Sequence, residues 1–240
     1  MEPSGMIVAA LDCDADAIEE WNRWYDLEHT PMNVCLDGVM LSRRYVAPPA
    51  LHRSRVTTAG SPWSGGRAVF LTTYVLTGDP HRAFEAMSTE LPRLYEEGRM
   101  RFPADKKVVR EGDVFVGVAA AGRADLQLRP RDVPFVGHTG IVLVQRRVGD
   151  ADETGASRAP ELAAVDGVTG AWTLRSGTRD EVRLDVAFVD GDPTACAARL
   201  RAASPHRGEV LVDAPFQLID PLRYPWADEI RGSELPQTIA

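Results

Sequence analysis

Two stretches of this chain carry nearly the same phrase: VFLTTYVLTGDP at residues 69–80 and VRLDVAFVDGDP at residues 182–193. Each reads as a strand of alternating character that runs into Gly-Asp-Pro. The aspartate suits a helix N-cap and the proline the first helical turn. The spacing therefore predicts a strand followed by a helix in both places, with helices over His81–Glu97 and Thr194–Ala203.

Working outward, the repeat extends. LDGVMLSRRY at 36–45 matches VDGVTGAWTL at 165–174, so an Asp-Gly-Val turn opens a strand in each half. Upstream lie the Ile-Val strands around Met6–Leu11 and Gly140–Val144, and downstream the strands Val108–Ala119 and Glu209–Ile219. The order is βαββαβ, a ferredoxin-like unit, occurring twice. One such unit covers a single face of its sheet with helices, and the other face needs a partner. The expected fold is α+β: two ferredoxin-like repeats, 1–125 and 126–240, with antiparallel sheets packed face to face.

The halves differ. Residues 7–37 have room for a full helix, whereas the connector RRVGDADETGASRAPELAAV is polar and broken by Pro160, leaving a short helix near Pro160–Val165. A single active site would then belong to the first half, in WNRWYDLEHTP at 21–31. At 100° per residue, Ala17, Ile18, Trp21, Trp24, Tyr25, Glu28 and His29 share a stripe about 140° wide. Asn22, Asp26, Glu19, Arg23, Leu27 and Glu20 take the opposite face. Asp14 or Asp16 would cap the helix, and Pro31 should end it near His29. A glutamate in a last turn meets the negative end of the helix dipole, which suggests a role beyond packing. Histidine exchanges protons near neutral pH. Along the next strand, Arg43 and Tyr45 share one face, where an arginine can hold an anion and a tyrosine can donate a hydrogen bond.

The formal charge of −8 and the absence of long basic runs argue against a nucleic-acid partner. No apolar run approaches membrane-spanning length. The opening MEPSGMIVAALDCDAD has no basic n-region, and Cys13, Cys35 and Cys196 read as free thiols, so a cytoplasmic location is expected. Residues 48–66 read as a long Pro/Gly/Ser loop in which Trp63 would cover a pocket mouth and His52 could touch a ligand. His81, His138 and His206 read as solvated or structural. No zinc spacing, phosphate loop or serine elbow is present, so no metal and no cofactor are expected. A haem would need a lone axial histidine, His138 or His206.

The run W-x-x-W-Y-D-x-E-H-x-P (Trp21, Trp24, Tyr25, Asp26, Glu28, His29, Pro31), followed by Gly38 and by Arg43-Arg44-Tyr45, resembles the EthD-like branch of the dimeric α+β barrel superfamily. The second half resembles a degenerate partner domain that replaces the second subunit of a dimer, so a monomer or a homodimer is implied. The superfamily includes cofactor-free monooxygenases, lyases, isomerases, polyketide cyclases and haem enzymes. In EthD-like lyases the helix-end histidine is an acid or base acting on an aromatic or polyketide-like substrate. The resemblance maps that role onto His29, with Glu28 and Tyr25 tuning it, Trp21, Trp24, Tyr45 and Trp63 as walls, and Arg43 as anion anchor. The implied activity is that of a lyase or isomerase working by acid–base chemistry on a small hydrophobic molecule. A cofactor-free monooxygenase or a non-catalytic binder are the alternatives.

Overall fold

A computed structural model describes residues 1–149 and 157–235. The first half contains β1 (Pro3–Cys13), β2 (Val39–Val46), the short β3 (Val56–Thr57), β4 (Phe70–Thr77) and β5 (Lys107–Gly122). The second contains β6 (Gly140–Arg147), β7 (Val168–Ser176), β8 (Val182–Val189) and β9 (Glu209–Leu218). Strand order is β2-β4-β1-β5 in one half and β7-β8-β6-β9 in the other, all antiparallel. The repeated phrases thus occupy equivalent strands. The two sheets face each other and also join at both edges: β5 pairs with β7, and β2 pairs with β9 through Tyr45–Leu218 and Val46–Gln217. The result is a closed barrel, which leaves no exposed edge between the halves.

The turn and cap signals hold in detail. Asp79 and Asp192 each accept a backbone N–H two residues on, at 3.0 and 2.9 Å, at the starts of α4 (Pro80–Glu96) and α6 (Pro193–Ala203). Gly38 and Gly167, in the paired Asp-Gly-Val turns, both have φ of 86°, a region open to glycine. Their carbonyls accept from Thr77 and Asp190 at 2.9 and 2.8 Å. A deeper repeat is invisible in the aligned phrases. A Cβ at Gly5 would lie 2.4 Å from the Phe115 carbonyl oxygen and 2.8 Å from the Pro80 ring. A Cβ at Gly140 would lie 2.2 Å from the Phe216 carbonyl oxygen and 2.6 Å from the Pro193 ring. Each Gly-Asp-Pro helix start therefore rests on a glycine of the first strand of its own half.

Alternate side chains fill the lumen, including Met6, Val8, Phe115, Leu143, Leu184 and Phe216. The intervening residues pack under the helices. Residues 48–66 are more ordered than the sequence suggests: they hold α3 (Pro49–Arg53), and β3 pairs with β9. The shortened connector retains α5 (Ala159–Ala163), while residues 150–156 of it lie outside the described residues. Residues 219–235, with α7 (Ala227–Arg231), pack back on the first half: Trp226 meets Phe70, and Arg231 pairs with Glu19. Cys13 and Cys196 are buried and Cys35 is exposed. Among the described residues no helix is long and apolar enough to cross a membrane.

Overpacking of this kind typically costs about 1–3 kcal/mol. Gly140→Ala should lower the urea unfolding midpoint accordingly, and Gly137→Ala, where a Cβ meets open space, should not.

Candidate functional site

The helix that carries the motif does not stop at His29. It comprises α1 (Ile18–Trp24), a wide π turn over Tyr25–His29, and α2 (Thr30–Val34), with Pro31 inside it. A helical proline lacks an N–H and its ring collides with the carbonyl four residues back. The wide turn places that conflict where the hydrogen-bond ladder is already shifted: the Thr30 N–H reaches the Tyr25 carbonyl, five residues back. Beyond the proline the ladder resumes, with the Cys35 N–H on the Pro31 carbonyl at 3.2 Å.

Arg44 decides how this helix sits. Its side chain leaves the barrel strand β2 toward the helix and is buried. One guanidinium nitrogen donates to Asp26 Oδ1 at 2.9 Å, and the other to Asn22 Oδ1. The guanidinium also lies over the Tyr25 ring, 4.3 Å from its centroid. Asp26 Oδ2 accepts from the Leu222 N–H at 2.8 Å and the Tyr224 hydroxyl at 2.6 Å. Asn22 and Asp26 therefore face inward, opposite to the helical phasing. A buried cation demands a carboxylate and further acceptors, and that demand outweighs the preference of polar residues for solvent. The acid that the phasing directs inward, Glu28, is exposed.

The aromatic stripe is core. Trp21 stands edge-on to Phe70 and Tyr25, with centroids 4.7 and 5.0 Å away. Burial raises the Tyr25 hydroxyl above its ordinary pKa. His29 is wedged against Trp24 and Tyr25, at 4.8 and 4.3 Å between centroids, and its Nδ1 is buried without a partner. Burial first, then Lys107 and Arg44, push its pKa down to about 3. Trp63 lies at the far end of the barrel, where its indole N–H donates to Glu111 at 2.5 Å. It borders a separate cavity of about 250 Å³ with Gln145 and Arg179. His52 braces its own loop through the Arg67 carbonyl and Arg55.

A larger cavity, about 540 Å³, opens at the seam where β2 meets β9. Asp26 and Thr30 from the helix, Ser42, Arg43 and Arg44 from β2, His138 and Thr139 before β6, and residues 218–221 after β9 line it. Strand pairing explains its place: β2 pairs with β9 only at Tyr45 and Val46, and the rest of β2 diverges. Two of the wall's four charges are spent on Asp26–Arg44, and Asp220 pairs with Arg223 at 3.2 Å. Arg43 remains. Its Nε is buried without a hydrogen-bond partner, as is Thr30 Oγ1. Beside it, the Tyr45 hydroxyl lies 2.9 Å from His138 Nε2, while His138 Nδ1 lies 2.8 Å from the Val136 carbonyl. A carbonyl can only accept, so Nδ1 carries the proton and Nε2 accepts from Tyr45. Burial lowers the His138 pKa, with Arg43 opposing protonation further. The imidazole is neutral, and its residue borders the cavity.

Thus Arg43 lines the cavity and Tyr45 stands behind its wall on His138, while Tyr45 itself, His29, Glu28, Tyr25, Trp21, Trp24 and Trp63 line no part of it. The sequence pointed to His138 only as a structural residue or a haem ligand, since only the seam brings residue 138 to residue 45. Of the two histidines named for a haem, His138 meets Tyr45 and the Val136 carbonyl, and the ring nitrogens of His206 contact Asp213 at 2.8 Å and Arg158 at 3.4 Å. Among the described residues no cluster of three His, Cys, Asp or Glu could hold a metal ion.

No protein-family model and no curated protein matches the chain. Solved structures do. A candidate monooxygenase from Fusobacterium nucleatum aligns over 91% of this chain and 94% of its own, with TM-score 0.51 and 8% identity. An anthrone oxidase-like protein aligns over 91% and 92%, with TM-score 0.51 and 12% identity. A candidate chlorite dismutase aligns over 96% and 98%, with TM-score 0.50 and 12% identity. The chain has the dimeric α+β barrel fold. At such identities the likeness establishes architecture and leaves chemistry to the site.

The depressed His29 pKa has a thermodynamic consequence. The unfolded chain takes up a proton near pH 6.5 and the folded chain only near pH 3. Stability contributed by neutral His29 is complete above pH 6.5 and is lost as pH falls toward 3. The unfolding free energy of His29→Phe, followed by urea titration, should decline less over that window than that of the parent.

Proposed function

We propose that the protein is an enzyme that moves protons on a small, largely hydrophobic acid, by its own side chains, at the seam cavity. The observation that carries this reading is an uncompensated arginine, Arg43, beside a neutral histidine whose accepting nitrogen is held by a tyrosine. A ligand with an acidic C–H or O–H next to a carbonyl fits this wall. His138 Nε2 takes the proton, while the Tyr45 hydroxyl turns from that nitrogen to the ligand oxygen. The negative charge left on the enolate or phenolate falls beside Arg43, and Thr30 supplies a further hydrogen bond. Return of the proton to another carbon is isomerisation. Expulsion of a neighbouring hydroxide, which takes the proton from His138 and leaves as water, is dehydration. A β-keto carboxylate instead loses carbon dioxide directly, its bonding electrons forming the same enolate beside Arg43, which then takes a proton from water to complete decarboxylation. Lyase or isomerase chemistry on an aromatic or polyketide-like acid is therefore the reading adopted. His29, the base implied by resemblance to EthD-like proteins, is assigned a packing role here.

The same deprotonation would start oxidation of an electron-rich phenol, because a phenolate gives electrons to O₂ more readily than a phenol. Two of the structural neighbours are named as oxygenase or oxidase-like, so oxygen uptake during turnover is the discriminating measurement.

A placed acid–base group contributes about 10²–10⁴-fold in rate. His138→Ala should lower kcat/KM by that factor with the fold intact, whereas His29→Phe should stay within about tenfold. The reverse pattern would return the base to His29. Because the His138 pKa is lowered from 6.5 and the base works unprotonated, kcat/KM should hold level through neutral pH. It should fall only on the acid side of the ordinary histidine range.

A further inference from the structure

Away from the seam, the first half carries a second opening, a groove of about 490 Å³ bordered by Tyr95, Arg101, Phe102, Pro103, Ala104 and Lys107. Two cations and two aromatic rings border it, and no carboxylate does. The adjacent lysines of β5's entry have opposite fates. Lys106 is paired with Asp14 at 3.2 Å and Asp16 at 2.9 Å. Lys107 has no carboxylate partner among the described residues. Its ammonium lies 4.4 Å from the centroid of Trp24 and 5.9 Å from that of Phe102. Trp24 and Phe102 are themselves in contact, 5.3 Å apart, so the ammonium is lodged against an aromatic pair. Behind it, the Trp24 Nε1 and His29 Nδ1 atoms are buried and unpartnered.

A half-buried ammonium flanked only by rings is an incomplete ion pair. Cation–π contact offsets part of its lost hydration, and burial lowers its pKa with no opposing anion. Arg101 beside it donates to the Tyr95 carbonyl and adds positive potential to the same rim. An anion that also has an aromatic face would complete the arrangement, with its charge on Lys107 and its ring on Phe102 and Tyr95. We propose that this groove is a second ligand site, which takes a small aromatic carboxylate, with Lys107 as its anion partner. The site is independent of the seam cavity and does not require that cavity to be catalytic.

The test is calorimetric titration of the full chain with 1-naphthoate, and with 1-naphthalenemethanol as the neutral isostere. Lys107→Met keeps an unbranched aliphatic side chain and loses the charge, Lys107→Arg keeps the charge, and Arg43→Met reports on the seam. The expected result is a naphthoate site that weakens at least tenfold in Lys107→Met, persists in Lys107→Arg and Arg43→Met, and prefers naphthoate to the alcohol. No naphthoate binding by the parent chain would overturn the proposal. So would a binding isotherm that Lys107→Met leaves unchanged, equal affinity for the alcohol, or loss of all binding in Arg43→Met. Loss confined to a second, separate site in Arg43→Met leaves this groove intact and bears on the seam alone. Unchanged far-ultraviolet circular dichroism and urea unfolding cooperativity of Lys107→Met exclude misfolding as the cause of lost binding.

Discussion

A single buried guanidinium sets the arrangement of the first half. Arg44 leaves the barrel wall into a layer of aromatic side chains, and its charge must be met there. Asp26 and Asn22 meet it from the helix, Tyr25 covers it, and Tyr224 and the Leu222 N–H close around the carboxylate. Helix, strand and C-terminal segment are fastened at one point. The motif that looks most like chemistry, Trp-x-x-Trp-Tyr-Asp, is largely the aromatic and acidic setting of this cation.

Strand alternation then divides neighbouring residues by role. Arg44 turns to the helix layer and is spent on structure. Arg43, one residue earlier, turns the other way, reaches the seam cavity, and has no carboxylate partner among the described residues. The seam provides what neither repeat has alone: β2 brings Arg43 and Tyr45, and the segment before β6 brings His138. A fused pair of repeats can build an asymmetric site here, because only one of the two junctions needs to open. The other, β5 with β7, is paired from Phe115–Ser176 to Gly122–Gly170.

Much of the architecture was legible because its signals are local. Gly-Asp-Pro caps, Asp-Gly-Val turns and strand alternation each act over a few residues and occur twice. Closure into a barrel came from the resemblance to dimeric α+β barrel proteins and not from local signals, since β2–β9 pairing joins residues far apart by backbone bonds that carry no side-chain signature. Helical phasing of 17–29 succeeded for Trp21, Trp24 and Tyr25, where burial follows hydrophobicity. It failed for Asn22, Asp26 and Glu28, because it had no knowledge of a cation opposite the helix. Thr30-Pro31 suggested an ending that the π turn absorbs. Alternation alone put Arg43 and Tyr45 on one face of β2, while His138, alone before its strand, offered no pattern to read.

The account rests on the different fates of two adjacent arginines. Urea denaturation of Arg43→Met and Arg44→Met, followed by tryptophan fluorescence, tests it most directly. Breaking a buried pair by removing one partner costs about 3–5 kcal/mol, whereas removing an unpaired cation removes a desolvation cost and breaks no pair. Arg44→Met should lose stability on that scale, and Arg43→Met should unfold within about 1 kcal/mol of the parent chain. Equal destabilisation by the two, or greater loss in Arg43→Met, would contradict the assignment of Arg44 to the fold and Arg43 to the ligand.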